Sequence, residues 1–129
     1  MNVDTSALLA LVDASQSQHE AVSAVIDASD EPFVISPFIV VELDYVVLTR
    51  HDSRIERIML DELASGASEL APASREQLSA ASTLVRQYSD APVGVADASN
   101  IVLADSTRTV PLSIVDTSAS CPWVTVRRR

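Results

Sequence analysis

Four acidic residues stand where a purely structural role is strained: Asp4, Glu42, Asp97 and Asp116. Asp4 closes Asn2–Asp4, a short opening segment that reads as a strand. Asp116 follows Pro111–Val115, which reads as another. Glu42 lies inside Phe38–Leu48, an almost wholly apolar helical stretch, and Asp97 begins a second apolar helix. A carboxylate buried in such a helix needs a cation or several donors, because burying it unpaired is costly. Taken singly, each acid has a simpler use. Asp4 and Asp97 suit helix caps, Asp116 suits an Asx-turn into Thr117-Ser118, and Glu42 suits an ion pair with an Arg. Taken together, two acids at strand ends and two on apolar helices are what a carboxylate cage for Mg²⁺ or Mn²⁺ requires. Hard divalent cations prefer oxygen ligands. One or two of them activate water and stabilise the leaving oxygen in phosphodiester cleavage.

Other chemistries find less support. His19 and His51 are far apart, lack metal-ligand spacing and read as surface residues. Cys121 is the single cysteine, which rules out an internal disulfide and a cysteine-based zinc site and has no visible role. All nine basic residues are Arg. A phosphoryl-accepting receiver domain and a haloacid-dehalogenase-type phosphohydrolase both use a Lys, and the second also needs an Asp-x-Asp that Asp4-Thr5-Ser6 does not supply.

These acids must be positioned by the elements around them. The 129 residues suit one domain, 1–129, with a sizeable core. Aromatics make up only 4%, so that core must be aliphatic. Short β-like runs alternate with helical stretches, which reads as α/β with a mostly parallel sheet. Helices are expected at Ala7–Val12, at Gln18–Ala28 with Ala21, Val22, Val25 and Ile26 on one face, and at Pro37–Arg50. Ser36-Pro37 is a strong start for the third. Being apolar nearly all round, that helix should be buried. Further helices are expected at Arg54–Ala64, after Ser74 with Leu78, Ala81, Val85 and Tyr88 on one face, and at Asp97–Ala104. Strands are expected at Phe33–Ile35, Ser68–Leu70 and, at an edge, Trp123–Val126. Trp123 and Phe33 are expected in the core or in a dimer contact.

No apolar run is long enough to span a bilayer and no signal peptide is visible, so no membrane association and a cytoplasmic location are expected. The net charge of −9 speaks against a non-catalytic nucleic-acid binder, which would need a basic surface. An acid cluster neutralised by metal, or a basic protein partner, accommodates it. Arg50, Arg54 and Arg57 form a small candidate basic patch, although solvated helix charges are the simpler explanation. Arg127-Arg128-Arg129 reads as a frayed terminus.

With these residues in place the chain resembles the PIN-domain ribonucleases, in particular VapC-like toxins of type II toxin–antitoxin systems. Val3-Asp4-Thr5-Ser6-Ala7-Leu8-Leu9 looks like the family's first-strand motif. Ser36-Pro37 with Val41-Glu42-Leu43-Asp44-Tyr45 is similar to the second, and Gly94-Val95-Ala96-Asp97-Ala98-Ser99 to the third. Ile114-Val115-Asp116 falls where a fourth acid is expected. The resemblance covers essentially the whole chain. It implies a three-layer α/β/α sandwich with a mostly parallel central sheet. It also implies metal ligation by Asp4, Glu42, Asp97 and Asp116, with Ser6 supporting the site and Thr5 as a second hydroxyl. Asn100, one turn from Asp97, can face the same cleft. The implied activity is Mg²⁺- or Mn²⁺-dependent cleavage of RNA, with tRNA or rRNA as substrate. The implied partners are a VapB-like antitoxin and a second copy in a homodimer. One departure stands out: Thr117-Ser118-Ala119-Ser120 replaces the basic pair and Phe that often follow the last acid. That change motivates an alternative, a PIN-like module that binds a partner without cleaving RNA.

Overall fold

The computed structural model describes residues 1–107 and 111–112. Ten elements follow one another: β1 (Asn2–Val3), α1 (Thr5–Val12), α2 (His19–Asp27), β2 (Val34–Ile35), α3 (Pro37–Arg50), α4 (Ser53–Ala64), β3 (Glu69–Leu70), α5 (Arg75–Gln87), α6 (Val95–Thr107) and β4 (Pro111–Leu112). The strands form one parallel sheet in the order β3-β2-β1-β4. In register, Asn2 faces Val34 on one side and Pro111 on the other, while Ile35 faces Leu70. Parallel neighbours need crossover connections, and the intervening helices supply them. Helices covering the sheet give the three-layer α/β/α arrangement.

Local chemistry sets the helix starts. The Asp4 side chain accepts the Ala7 N–H and opens α1. Ser36 accepts the Phe38 N–H, and Pro37 occupies the first turn of α3. Asp52 accepts from Arg54 and Ile55 at the head of α4. Ser74 and Gln77 form a reciprocal capping box on α5. Gly66, at φ 88°, takes the left-handed conformation just beyond the end of α4, where a side chain would be strained.

The core is aliphatic, as the composition requires. Val3, Ala7, Leu8, Ala10, Val22, Ile35, Ile39, Leu43, Val47, Met59 and Ala96 form one buried cluster, with Phe33 and Phe38 partly buried against it. The central strand β1 places Asp4 immediately beyond its carboxyl end, where ligands collect in open α/β sheets.

One expectation about packing is corrected. The helix α3 is not buried all round. Ile39, Leu43 and Val47 point into the core, but Val41 is 69% and Tyr45 70% exposed, and Leu48 is exposed beside them. The helix is apolar on two faces, and among the described residues only one of them is covered. On α2, Val22 is buried whereas Ala21 and Val25 are exposed. On α5, Ala81 is buried while Leu78 is exposed. Strand β3 is exposed at both residues, as suits an edge. The expected strand at Pro111–Val115 is described only at Pro111–Leu112, and the one at Trp123–Val126 lies outside the described residues. Among the described residues, no helix is long and apolar enough to cross a membrane.

Candidate metal centre

The three candidate acids within the described residues sit on segments joined through α3. Asp4 heads α1, Glu42 lies in the second turn of α3, and Asp97 lies in the first turn of α6. The helix α3 is the common neighbour, packing against both α1 and α6. A buried hydrogen bond between the Ser36 and Ser99 hydroxyls, 2.8 Å, fastens the head of α3 to α6. Ser99 also donates to the Ala96 carbonyl. The pair is separated by 63 residues in sequence and leaves no one-dimensional signal beyond the capping value of Ser36.

The two hydroxyls of Asp4-Thr5-Ser6 have different partners. The Ser6 hydroxyl donates to Asp4 Oδ1 at 2.8 Å, and the Ala7 N–H donates to the same oxygen at 2.9 Å. The Thr5 hydroxyl reaches across to α3 and donates to Glu42 Oε2. Glu42 is half-buried, not enclosed as an all-round apolar helix implied. Among the described residues no Arg pairs with it, so the ion pair considered for it is not formed there.

Asp97 is exposed. Its Oδ2 accepts the Gly94 N–H at 3.4 Å, a long bond at the head of α6. Asn100 is 5% exposed, and its Oδ1 accepts no hydrogen bond among the described residues. A buried acceptor without a partner costs about 1–3 kcal/mol. It lies one helical turn from Asp97.

Asp116 lies outside the described residues. Among those described, no three His, Cys, Asp or Glu side chains stand close enough together to hold a metal ion. The donor chemistry nonetheless fits a hard divalent cation. It comprises carboxylate oxygens on three packed segments and an orphaned amide oxygen, with neither thiol nor imidazole among them.

The histidines have structural partners instead. Both are half-buried, which corrects the surface assignment. His19 Nδ1 lies 2.8 Å from the Ala10 carbonyl, and His51 Nε2 lies 3.5 Å from Asp13 Oδ2. The Ser15 hydroxyl, the Gln16 amide and the Ser15 N–H hold the Asp13 pKa down to about 2, with a smaller contribution from His51. Burial lifts the Glu56 carboxyl above its ordinary range, and the Asp44 carboxyl adds to the lift. Arg50, Arg54 and Arg57 are exposed. Arg57 Nη1 makes a long contact, 3.5 Å, with Ser53 Oγ.

Known proteins align with this chain. The PIN-domain family matches residues 1–119. Ribonuclease VapC26 of Mycobacterium tuberculosis is 47% identical over 116 residues, which cover 90% of this chain and 86% of the relative. In fold, the chain is similar to the crystal structure of Mycobacterium tuberculosis VapC20, a sarcin-ricin-loop-cleaving toxin. The TM-score is 0.82 over 98% of each chain, at 14% sequence identity.

Proposed function

Because the chain belongs to the PIN-domain family, we propose that it is a metal-dependent endoribonuclease, a VapC-like toxin acting as a single domain over residues 1–129. The observation that carries this reading is the 47% identity to a ribonuclease over 90% of the chain. At such identity and coverage a shared chemistry is the economical account. The packing of α3 against both α1 and α6 supports the assignment of Asp4, Glu42 and Asp97, with Asp116, as ligands of Mg²⁺ or Mn²⁺. When bound, the ion supplies an activated water and neutralises charge at the scissile phosphate.

The chain's own residues do the rest. Ser6 and the Ala7 N–H fix Asp4 Oδ1, and Thr5 fixes Glu42 Oε2. The buried Asn100 amide offers a neutral oxygen beside Asp97. The substrate we assign is structured RNA, a tRNA or an rRNA. The assigned partners are a VapB-like antitoxin and a second copy of the chain, and the assigned location is the cytoplasm. A net charge of −9 suits a cationic inhibitor placed over an acidic cleft.

The purified chain, free of any partner, should cleave tRNA or rRNA with Mn²⁺ or Mg²⁺ and stop when EDTA is added. Asp4→Asn and Asp97→Asn should each abolish cleavage and leave the circular dichroism spectrum unchanged. Full activity in both variants would remove the mechanism.

A second reading, a PIN-like binding module without catalysis, draws on Thr117-Ser118-Ala119-Ser120 and on the separation of the described acids. An absence of metal-dependent cleavage in the parent chain would favour it.

A further inference from the structure

We propose that Thr5 is a positioning residue for Glu42: its hydroxyl holds one carboxylate oxygen and leaves the other for a divalent cation. The inference rests on the metal-centre reading above.

In sequence, Thr5 and Ser6 are two adjacent hydroxyls beside Asp4, and nothing in their spacing divides the work between them. The structure divides it. Ser6 serves Asp4 within its own turn, whereas Thr5 spans 37 residues of sequence to Glu42 Oε2. Thr5 is a well-fixed donor. It is the first residue of α1, whose start is set by the Ala7 N–H on Asp4 Oδ1 and by the Leu8 N–H on the Asp4 carbonyl, 3.0 Å. Its β-branch further restricts the side chain. Glu42 has the opposite character, because a glutamate loses much rotamer freedom when it is ordered.

Among the described residues Glu42 Oε1 accepts no hydrogen bond, and no Arg neutralises the carboxylate. The result is a half-buried carboxylate with one neutral donor and one open oxygen. Hydrogen-bonded neighbours of this kind orient ligating carboxylates, and their loss weakens metal affinity. Thr5 is therefore expected to act on metal affinity through Glu42, without touching the ion.

The test is a Mn²⁺ titration of the full chain, by calorimetry or electron paramagnetic resonance, on the parent, Thr5→Val, Thr5→Ser, Glu42→Gln and the Thr5→Val/Glu42→Gln double variant. Thr5→Val should weaken Mn²⁺ binding by about 10- to 100-fold. Thr5→Ser should bind close to the parent level. In the Glu42→Gln background, Thr5→Val should weaken binding no further. Parent-like affinity in Thr5→Val overturns the proposal. So does an equal loss in Thr5→Ser, or an undiminished further loss in the double variant. If Thr5→Val does not fold, Thr5→Ala against Thr5→Ser gives the same comparison. A parent chain that binds no Mn²⁺ overturns the metal-centre reading itself, whereas normal parent binding with an indifferent Thr5→Val overturns only the role of Thr5.

Discussion

Two buried asparagines separate structural cost from candidate function. Asn2 is fully buried in the central strand β1, and neither its Oδ1 nor its Nδ2 has a hydrogen-bond partner among the described residues. Its neighbours in register are Val34 and Pro111, and the next residue, Val3, is core. With no partner among the described residues, an amide there brings desolvation without return. Replacing Asn2 by the similarly sized Leu should raise stability by about 1–3 kcal/mol. Urea unfolding of the two proteins measures this, and a less stable Asn2→Leu would show that the amide is bonded after all. Asn100 differs in place rather than in chemistry. Its oxygen, without a hydrogen-bond partner among the described residues, lies one turn from Asp97, where a cation or an ordered water can use it.

At the scale of elements, α1 and α3 form a parallel pair fastened at both ends. Thr5 meets Glu42 near the heads of the two helices, and Asp13 meets His51 at their tails. Eight residues separate the two α1 positions and nine the two α3 positions, about 12 and 14 Å of helix. The matching rises let both contacts form without bending either helix. Between the two contacts lie Leu8, Leu43 and Val47, all buried. Asp13 carries a pH signature that comes chiefly from the Ser15 hydroxyl, the Gln16 amide and the Ser15 N–H, with His51 adding least. Asp13 titrates at about 2 in the folded protein, below its ordinary 3.8. A depressed carboxylate stabilises the fold above the unfolded pKa and loses that contribution as the pH falls through the folded one. Asp13→Asn should therefore melt below the parent at pH 7, and the gap should close between about pH 4 and pH 2. A gap that persists at pH 2 would assign the effect to packing instead of charge.

Across the whole molecule, two features ask for partners. Val41, Tyr45 and Leu48 recur at helical spacing along the outer side of α3 and are exposed together. Clustered exposed apolar side chains of this kind mark interaction sites more often than isolated ones do. The proposed second copy is the natural cover. Sedimentation should find the parent as a dimer of 13.8 kDa chains and Tyr45→Glu as a monomer. A parent that sediments as a monomer at micromolar concentration would leave this face to another protein. The second feature is the charge of −9, which opposes RNA at long range and favours a basic protein.

Among the described residues, the sequence by itself determined the order and type of the elements. Caps and breakers act within a few residues: Ser36-Pro37 opens α3, Asp52 opens α4, and Ser74 opens α5 where the pattern requires. It also dictated the aliphatic nature of the core, which is a matter of composition, and nominated the candidate acids, which is a matter of motif. Which side of an apolar helix finds a neighbour was decided only in three dimensions. Periodicity gives a helix its faces but not the layer each one meets, so α3 read as buried and proved half open. The same reason hid Thr5–Glu42, Ser36–Ser99 and Asp13–His51. Each joins side chains 37 or more residues apart, and only the docking of one helix on another brings such groups within hydrogen-bonding or ion-pair range.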